Sequence, residues 1–475
     1  MTNLSGTHLN NGAAVGPQGE GRDSPSTFPT YPAYKDSGVE WLGEVPTHWV
    51  FTPIKHLALL NPRKSGFAGD TEQLCSFVPM EKLKTGVVQL DEERPIEEVI
   101  GGYTYFEDGD VLQAKVTPCF ENKNVAIAKG LTNGIGFGSS EINVLRPYQG
   151  VNAEYLYYRV QEDSFMSFCT SSMIGAGGLK RVPTDVINNF KIAAPTLCEQ
   201  TQIARFLDHE TARIDALIEE QQRLIELLKE KRQAVISHAV TKGLNPDAPM
   251  KDSGVEWLGQ VPAHWEVLRI AVIFSEVAEK GLSELPVLRV SIHYGVSDKE
   301  LSEEESDRKV VRIDDREKYK RVRPGDLVYN MMRAWQGGFG AVLVDGLVSP
   351  AYVVARPKRI DVSGYVEQLL RTSCAVEEMR KNSYGITDFR LRLYWDQFRN
   401  MFVAMPPHNE RRRIMEHIES VISESGFLED EANRLVSILQ ERRSALISAA
   451  VTGKIDVRGW QPPADTGSAS TRGVG

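Results

Sequence analysis

One group of residues has the chemical types of a nuclease site. Asp110 is followed by Glu121 and Lys123, and many nucleases hold Mg²⁺ with two carboxylates while a lysine assists the attacking water. A Gly-Asp pair is also an ordinary turn before a strand. The chain has a second such pair, Gly325-Asp326, and the position downstream of it reads Gly337-Gly-Phe339, without Glu or Lys. The sequence therefore favours the turn, and a stand-alone Mg²⁺-dependent nuclease is kept as an alternative.

Other motifs that could carry chemistry are incomplete. Gly134-Ile-Gly-Phe-Gly138 leads into a strand-like run rather than a helix N-terminus, so a glycine-rich hairpin is favoured over a nucleotide-binding loop. Thr452-Gly-Lys454 lacks the other residues of a Walker A motif, and Met405-Pro-Pro-His408 lacks both flanks of the adenine methyltransferase motif. The nine histidines and five cysteines have no metal-ligand spacing. We predict no catalytic residue, no metal and no cofactor bound by this chain.

The chain repeats itself. Residues 35–49 and 251–265 are nearly identical, and each contains Trp-Leu-Gly, Val-Pro and His-Trp, at an offset of 216 positions. A second pair of similar segments, 232–241 and 443–452, is offset by 211. The order of short module, globular stretch and long helix therefore occurs twice. Two related halves predict a pseudo-two-fold symmetric protein that binds something with two related parts.

Each globular stretch has the pattern of a mixed α/β domain. Residues 125–128 and 141–145 are strand-like, Asn133-Gly134 between them is a hairpin signal, and 153–168 fits a helix. Gly109-Asp110 matches Gly325-Asp326, and Arg146-Pro147 matches Arg356-Pro357, although the sequences between these anchors differ. The predicted fold is α/β, with two tandem domains separated by long helices that form a coiled coil.

The helices have recognisable ends. Thr196 and Glu199 fit a capping box at the first start, and Gly243 and Gly453 fit C-caps. Breaks are expected near Asp208-His209 and at Gly426. The heptad pattern predicts two seams that face each other, interrupted by Lys231 and Arg442. The predicted interface residues are Leu217, Leu224, Leu228 and Val235 in the first helix and Leu428, Leu435, Leu439 and Leu446 in the second.

Length and composition are those of a multidomain globular protein. The chain has 475 residues, and no apolar run long enough to span a membrane, so we expect a cytoplasmic protein with reduced cysteines. Its net charge of −9 weighs against non-specific nucleic-acid binding but not against a local basic face. The predicted organisation is a disordered tail at 1–33, globular domains at 34–197 and 251–408, helical spacers at 198–250 and 409–460, and a second tail at 461–475.

Polar and basic residues in predicted loops could contact DNA. Arg, Lys, Asn and Gln are the side chains that read base edges or hold phosphates. The candidates follow the two Gly-Asp turns or lie near the end of each globular stretch: Lys115, Thr117, Asn122, Lys123, Lys180, Arg181, Asn330, Arg333, Gln336, Tyr384, Arg390 and Arg392.

The duplicated motifs resemble those of the specificity subunits of type I restriction–modification enzymes. The residues that carry the resemblance are Met250–Gly259 with Val261–Trp265, Glu199-Gln200 with Ile203, Ile214–Ile218 and Ala449–Arg458. The resemblance covers about residues 34–460. It implies two target-recognition domains, each reading one half of a bipartite site in double-stranded DNA, and long helices packed as an antiparallel coiled coil that spaces them. DNA-contact residues do not transfer with it, because the recognition domains are the variable part.

The resemblance also implies that this chain is non-catalytic. Two modification subunits would methylate adenine with S-adenosylmethionine, and two restriction subunits would translocate and cleave DNA with ATP and Mg²⁺. We therefore interpret the chain as a DNA-specificity subunit of such a complex. The alternatives are a coiled-coil scaffold with protein-binding domains and no DNA specificity, and the nuclease described above.

Overall fold

A computed structural model describes residues 28–64, 69–176, 178–292, 295–299, 316–385 and 391–463. Within these ranges the chain forms two units, each with its own sheets and core. Unit 1 contains the residues up to Glu220 and those from Leu435 on, and unit 2 is Gln221–Arg434. Sheets and helices occur in both units, which confirms the predicted α/β class. None of the helices in the described ranges has the length and hydropathy needed to cross a membrane.

Unit 1 is built on two four-stranded sheets. Its strands are β1 Tyr34–Asp36, β2 Glu44–Pro46, β3 Val50–Pro53, β4 Ala58–Leu60, β5 Leu74–Val78, β6 Leu83–Lys84, β7 Val87–Val88, β8 Glu93–Pro95, β9 Thr104–Glu107, β10 Val111–Ala114, β11 Val125–Ile127, β12 Ile135–Gly138, β13 Ile142–Pro147, β14 Ile174–Ala176, β15 Leu179–Arg181 and β16 Lys191–Ala194. One sheet has the order β11-β10-β13-β4, and the other has the order β8-β5-β12-β9. The pairs β1-β2, β6-β7, β14-β15 and β3-β16 form small ribbons.

The helices of unit 1 cover these sheets. They are α1 Ile96–Val99, α2 Ala153–Arg159, α3 Asp163–Ser171, α4 Thr184–Asn189, the first part of α5, which spans Leu197–Lys242, and the last part of the second long helix, from Leu435 on. The largest core cluster joins α2 and α3 to the long helices, with Tyr155, Phe165, Phe206 and Leu446 among its buried members.

Unit 2 repeats the same plan. Its strands are β17 Met250–Asp252, β18 Gln260–Pro262, β19 Glu266–Arg269, β20 Phe274–Val277, β21 Glu279–Lys280, β22 Val290–Ser291, β23 Gly295–Val296, β24 Lys320–Val322, β25 Leu327–Asn330, β26 Phe339–Ala341, β27 Gly346–Val348, β28 Tyr352–Pro357 and β29 Phe402–Met405. Its helices are α6 Ile270–Ile273, α7 Ser363–Leu370, α8 Ser373–Lys381, α9 Trp395–Phe398 and the first part of α10, which spans His408–Val451. The sheet order β20-β28-β25-β26 corresponds strand by strand to β4-β13-β10-β11 of unit 1.

The duplicated tryptophan modules dock against the starts of the long helices. Trp49 and Trp265 are 0% and 1% exposed. Nε2 of His48 lies 2.9 Å from a carboxylate oxygen of Glu199, and Nε2 of His264 lies 2.6 Å from one of Glu410. Burying a large aromatic ring stabilises such a contact strongly. The modules are therefore structural straps.

The start of the first long helix differs from the expected capping box. The Glu199 side chain is buried and accepts hydrogen bonds from the hydroxyl of Tyr31, 2.6 Å away, and from the indole of Trp49, 3.1 Å away. Tyr31 is 3% exposed, so residues 28–33, predicted as part of the tail, pack against unit 1. Residues 1–27 and 464–475 lie outside the described ranges.

Two local predictions in the first globular stretch are wrong. Asn133 and Gly134 adopt the left-handed turn expected of them, with φ of 55° and 72°. The two predicted strands, 125–128 and 141–145, are β11 and β13, which do not pair because β10 lies between them in the sheet. The strand directly after the turn, β12, lies in the other sheet. The helix predicted at 153–168 is two helices, because the Glu162 side chain accepts from the backbone N–H of Ser164 and Phe165 and starts α3 as its N-cap.

The long helices are continuous, which contradicts the expected breaks. Helix α5 runs through Asp208-His209 because Phe206, Leu207 and Ile214 are buried in the core on both sides. Helix α10 runs through Gly426, where a helical glycine costs only about 1 kcal/mol. The predicted C-caps are confirmed, since Gly243 and Gly453 end the helices with φ of 80° and 74°.

The buried line on the first long helix passes beside the predicted seam, whereas the second helix buries two of its four predicted residues. Ile214, Ile225 and Ile236 are at most 8% exposed, whereas Leu217 and Leu224 are 45% and 42% exposed. Leu228 and Val235 are half-buried. In the second helix Leu439 and Leu446 are buried, and Leu428 and Leu435 are 49% and 40% exposed. In α5 the buried residue is one position after the predicted one, Ile225 instead of Leu224 and Ile236 instead of Val235. The spacing of apolar residues cannot distinguish two such neighbours, because both are apolar.

In each unit the two helix segments run antiparallel and are joined by an ion pair. Arg443 lies 2.8 Å from Asp215 in unit 1, where Gln202 also donates to the carbonyl of Val457. Arg232 lies 2.8 Å from Glu429 in unit 2. Arg232 and Arg443 are the equivalent first residues of the repeated helix segments. The expected antiparallel direction of the helices is thus observed within each unit.

Two glycine substitutions test these assignments. A Cβ on Gly426 would meet no atom within 4 Å, so Gly426→Ala should raise the thermal midpoint, with a gain of up to about 1 kcal/mol. A Cβ on Gly136 in β12 would lie 2.1 Å from the Phe106 ring. We expect Gly136→Ala to lower the midpoint, with a loss of about 1–3 kcal/mol from overpacking. Thermal unfolding followed by circular dichroism measures both, and a lower midpoint for Gly426→Ala would contradict a continuous α10.

Candidate nucleic-acid interface

The acidic residue of the nuclease hypothesis belongs to a buried ion pair. Asp110 is 2% exposed and receives two hydrogen bonds from Arg146, Nε at 2.9 Å and Nη2 at 2.7 Å. Asp326 is 1% exposed and receives the same two bonds from Arg356, each 2.9 Å long. Hydrogen bonding to the aspartate raises the pKa of each arginine. The Gly-Asp and Arg-Pro pairs that occur in both halves of the sequence thus supply the two partners of one ion pair in each unit.

The other residues of that hypothesis are used differently. Glu121 is exposed, and the Lys123 ammonium lies 2.9 Å from Asp163 and 3.1 Å from the hydroxyl of Ser444. Within the described residues no group of three His, Cys, Asp or Glu side chains is placed to hold a metal ion. The geometry therefore favours the turn over the nuclease.

Four predicted DNA contacts come together in unit 1. The hairpin of β14 and β15, which carries Lys180 and Arg181, lies against the loop that follows β10, which carries Lys115 and Thr117. The Thr117 hydroxyl donates to the carbonyl of Gly178 at 2.6 Å and accepts from the N–H of Lys180 at 3.0 Å. The carbonyl of Lys115 accepts from the N–H of Val182 at 3.0 Å. We call this hairpin and loop platform 1, residues 115–118 with 174–182, of which 177 is outside the described residues.

Unit 2 has a matching surface. Tyr384 and Arg392 exchange backbone hydrogen bonds of 3.0 and 2.9 Å, as an antiparallel pair. The N–H of Leu393 donates to the carbonyl of Met331 at 2.9 Å, in the same way that Val182 donates to Lys115. We call this platform 2, residues 330–338 with 384–385 and 391–393. Arg392 and Arg181 occupy equivalent positions, and Arg390 lies outside the described residues.

Three of the predicted residues of platform 2, Asn330, Arg333 and Gln336, lie in the segment 330–338. The Asn330 side chain accepts from the N–H of Met332, and the carbonyl of Asn330 accepts from the N–H of Arg333. Burial raises the pKa of Tyr352, while the charges of Arg289 and Arg333 and a hydrogen bond with Asn330 oppose that rise. Gln336 is exposed on the same loop.

Asn122 is exposed in the turn after platform 1, where its N–H donates to the carbonyl of Pro118. These contacts to DNA stay predictions.

The sequence did not predict the role of Glu141, which lies beside platform 1. Both oxygens of Glu141 accept from Arg181 at 2.8 Å, and this bonding lowers the pKa of the Glu141 carboxyl. The pair holds Arg181 against the first sheet of unit 1. The signal for Glu141 in the sequence was only its place before a strand, because its partner is 40 positions away.

Comparisons with known proteins agree with the motifs. A family model described as "Type I restriction modification DNA specificity domain" matches residues 121–228, which include β14 and β15. The type I restriction enzyme EcoAI specificity subunit of Escherichia coli is 39% identical over 166 residues, 34% of this chain and 27% of that protein. The EcoEI specificity subunit of Escherichia coli is 37% identical over 163 residues, again 34% and 27%. The matched segment spans about a quarter of the length of each relative.

The fold is shared more widely than the sequence. A chain in the solved structure described as "Structural basis underlying complex assembly and conformational transition of the type I R-M system" superposes with a TM-score of 0.57 at 16% identity, covering 86% of this chain and 98% of that one. At this identity the likeness is one of fold. Together with the family model and the relatives, it confirms the resemblance that the duplicated motifs predict.

Removing one partner of the buried ion pair separates the two interpretations of Asp110. Asp110→Ala should lower the free energy of unfolding by about 1–3 kcal/mol, because Arg146 and the N–H of Glu107 lose a buried acceptor, while Arg146 keeps its ion pair with Glu107. Asp326→Ala should do the same in unit 2, and Glu121→Ala, at an exposed site, is the matched control with no loss of stability. Urea unfolding measures all three. The nuclease hypothesis would be supported if Asp110→Ala and Glu121→Ala folded normally and both abolished Mg²⁺-dependent cleavage.

Proposed function

We propose that this chain, a relative of the specificity subunits of type I restriction–modification enzymes, is the DNA-specificity subunit of such a complex. In this proposal platform 1 and platform 2 each read one half of a bipartite, asymmetric site in double-stranded DNA. The chain itself carries out no chemistry and supplies the address at which partner subunits act. Its place of action would be the cytoplasm, where those partners and the DNA are found.

The observation that carries the proposal is the pair of platforms. In both units a backbone hydrogen bond attaches a hairpin strand to the loop after the Gly-Asp strand, Val182 to Lys115 and Leu393 to Met331. The side chains on these equivalent frames differ, with Lys115 and Thr117 in one and Met331 and Arg333 in the other. A fixed backbone with different polar side chains suits two recognition surfaces of different sequence preference, because base edges are distinguished by donor and acceptor patterns.

The exposure and charge of platform 1 fit a nucleic-acid surface. Lys180 and Arg181 are exposed on a narrow two-stranded ribbon, and a ribbon of that kind fits the major groove of B-DNA. The chain as a whole is negative, with a net charge of −9. Binding would therefore depend on local basic residues rather than on the overall field. Glu141 limits the reach of Arg181, since leaving the carboxylate for a phosphate exchanges one ion pair for another.

The long helices would serve the partners. We propose that α5 and α10 set the distance between the two half-sites and dock two modification subunits and two restriction subunits. S-adenosylmethionine, ATP and Mg²⁺ would be bound by those subunits and not by this chain. The exposed leucines Leu217, Leu224, Leu428 and Leu435 offer apolar surface on these helices that a partner could cover.

A coiled-coil scaffold without DNA specificity is the alternative of a different class. It would use the same exposed helix surface but would give the platforms no role. The affinity of the assembled complex for DNA distinguishes the two, because phosphate contacts make binding fall steeply with salt. A scaffold predicts no such dependence.

The target should be split and asymmetric. We expect genome-wide mapping of methylated adenines, with and without this gene, to reveal one gene-dependent motif made of two different half-sites and a spacer of fixed length. The reason is that two platforms of one architecture carry different side chains. A continuous palindrome, or an unchanged methylation pattern after deletion of the gene, would contradict the proposal.

Substitution of Arg333 and of Lys180 should affect DNA binding in two different ways. Arg333→Ala, at a position proposed to contact a base, should cost about 1–3 kcal/mol of binding and relax specificity at one position of one half-site. Lys180→Ala, at a position proposed to contact a phosphate, should weaken all sequences equally and reduce the salt slope by about one unit. Fluorescence anisotropy of labelled duplexes at several salt concentrations measures both. Unchanged binding by both variants would remove these residues from the interface.

A further inference from the structure

The two hairpins present a large exposed side chain at the same place. Ile174 lies directly opposite Arg181 across β14 and β15, and Tyr384 lies directly opposite Arg392 in unit 2. Ile174 is 71% exposed and Tyr384 is 63% exposed. Side chains directly opposite each other in an antiparallel pair project from the same face of the ribbon. Each hairpin therefore presents one bulky side chain beside one arginine.

The backbone that carries Ile174 is held in place on both sides. A Cβ at Gly175 would lie 2.2 Å from the carbonyl oxygen of Leu179, so the two strands approach as closely as only glycine allows. On its other edge β15 bonds to Val116 and Thr117, through the bridge between Val116 and Arg181 and the N–H of Thr117 donating to Lys180. A side chain on such a frame is pre-organised, and it loses little freedom when it binds.

A single exposed isoleucine would be ordinary for a protein surface. Two further observations set Ile174 apart. Leu179, 56% exposed, lies on the same face of the ribbon and extends the apolar surface. The equivalent position of unit 2 is also occupied by a large exposed side chain, although the sequences of the two hairpins differ.

We propose that this position, Ile174 in unit 1 and Tyr384 in unit 2, is a specificity-determining contact to base edges, and that Ile174 packs against the C5-methyl group of a thymine in the major groove. The proposal rests on the DNA-reading function proposed above. An aliphatic side chain has no donor or acceptor for a base, and the thymine methyl is the apolar group that the major groove offers. Tyr384 adds a hydroxyl and so recognises a different edge from the same frame. The neighbouring arginines reach phosphate or a guanine edge.

The test uses the full chain in complex with its modification subunits and duplexes of the mapped target. In the half-site read by unit 1, each thymine is replaced in turn by deoxyuridine, which lacks only the C5-methyl group. At one position the substitution should weaken binding by about three- to tenfold, as expected for one buried methyl group. Ile174→Ala should bind the thymine duplex more weakly and should no longer distinguish thymine from deoxyuridine at that position.

Two variants serve as controls. Ile360→Ala removes an isoleucine that is 72% exposed elsewhere in unit 2, and it should change neither affinity nor discrimination. Tyr384→Ala should alter preference in the other half-site and leave the thymine discrimination unchanged. Because Ile174 is exposed, its replacement should fold normally, and an unchanged thermal midpoint verifies this.

The outcomes separate this inference from the proposed function. If Ile174→Ala keeps the full preference for thymine over deoxyuridine, or if the unmodified complex has no such preference, the contact is refuted while a split target still stands. If no split target exists, both are refuted. Loss of thymine discrimination in Ile174→Ala, with both controls unaffected, supports the contact.

Discussion

The architecture of each unit depends on one buried ion pair between an aspartate and an arginine. Asp110 accepts from two nitrogens of Arg146 and also from the N–H of Glu107, so it joins the end of β9, the start of β10 and the middle of the sheet. Asp326 makes the same bonds with Arg356 and the N–H of Arg323. A planar guanidinium and a carboxylate fix each other's orientation when both nitrogens are used. In each unit the aspartate is followed by a four-residue strand, β10 or β25, and that strand leads into the loop of the platform.

This arrangement explains how two halves can differ in sequence and keep one frame. The ion pair, the strap tryptophans Trp49 and Trp265 and the helix caps Gly243 and Gly453 fix the backbone from inside each unit. None of them lies at the platform surface. Side chains such as Ile174 and Tyr384, which occupy matching places in the two units, are free to differ because they are exposed and take no part in either core. The separation of frame from surface suits a protein that must recognise two unlike sequences.

Much of this could be predicted from the chain, and the failures have a common physical origin. Repetition located the straps, the anchors around Asp110 and Arg146, and the long helices with their glycine ends, because each is a local pattern that occurs twice. Strand pairing was not predictable, since β11 and β12 are neighbours in sequence but lie in different sheets. The seam was displaced because Leu217 and Ile218 are equally apolar, and only the three-dimensional contacts select the line through Ile214 and Ile225. Glu141 was missed because its role depends on an arginine distant in sequence.

In the proposed function each unit reads its own half of the target, and exchanging the recognition stretch of one unit separates the two readings. Residues 50–195 would be replaced by the equivalent stretch of a type I specificity subunit with a known target, and methylated adenines would be mapped in cells that contain the proposed modification subunits. Independent reading by the two units predicts a hybrid motif in which one half-site is new, the other half-site is retained and the spacer is kept. A motif in which both half-sites change together would contradict independent reading by the two units.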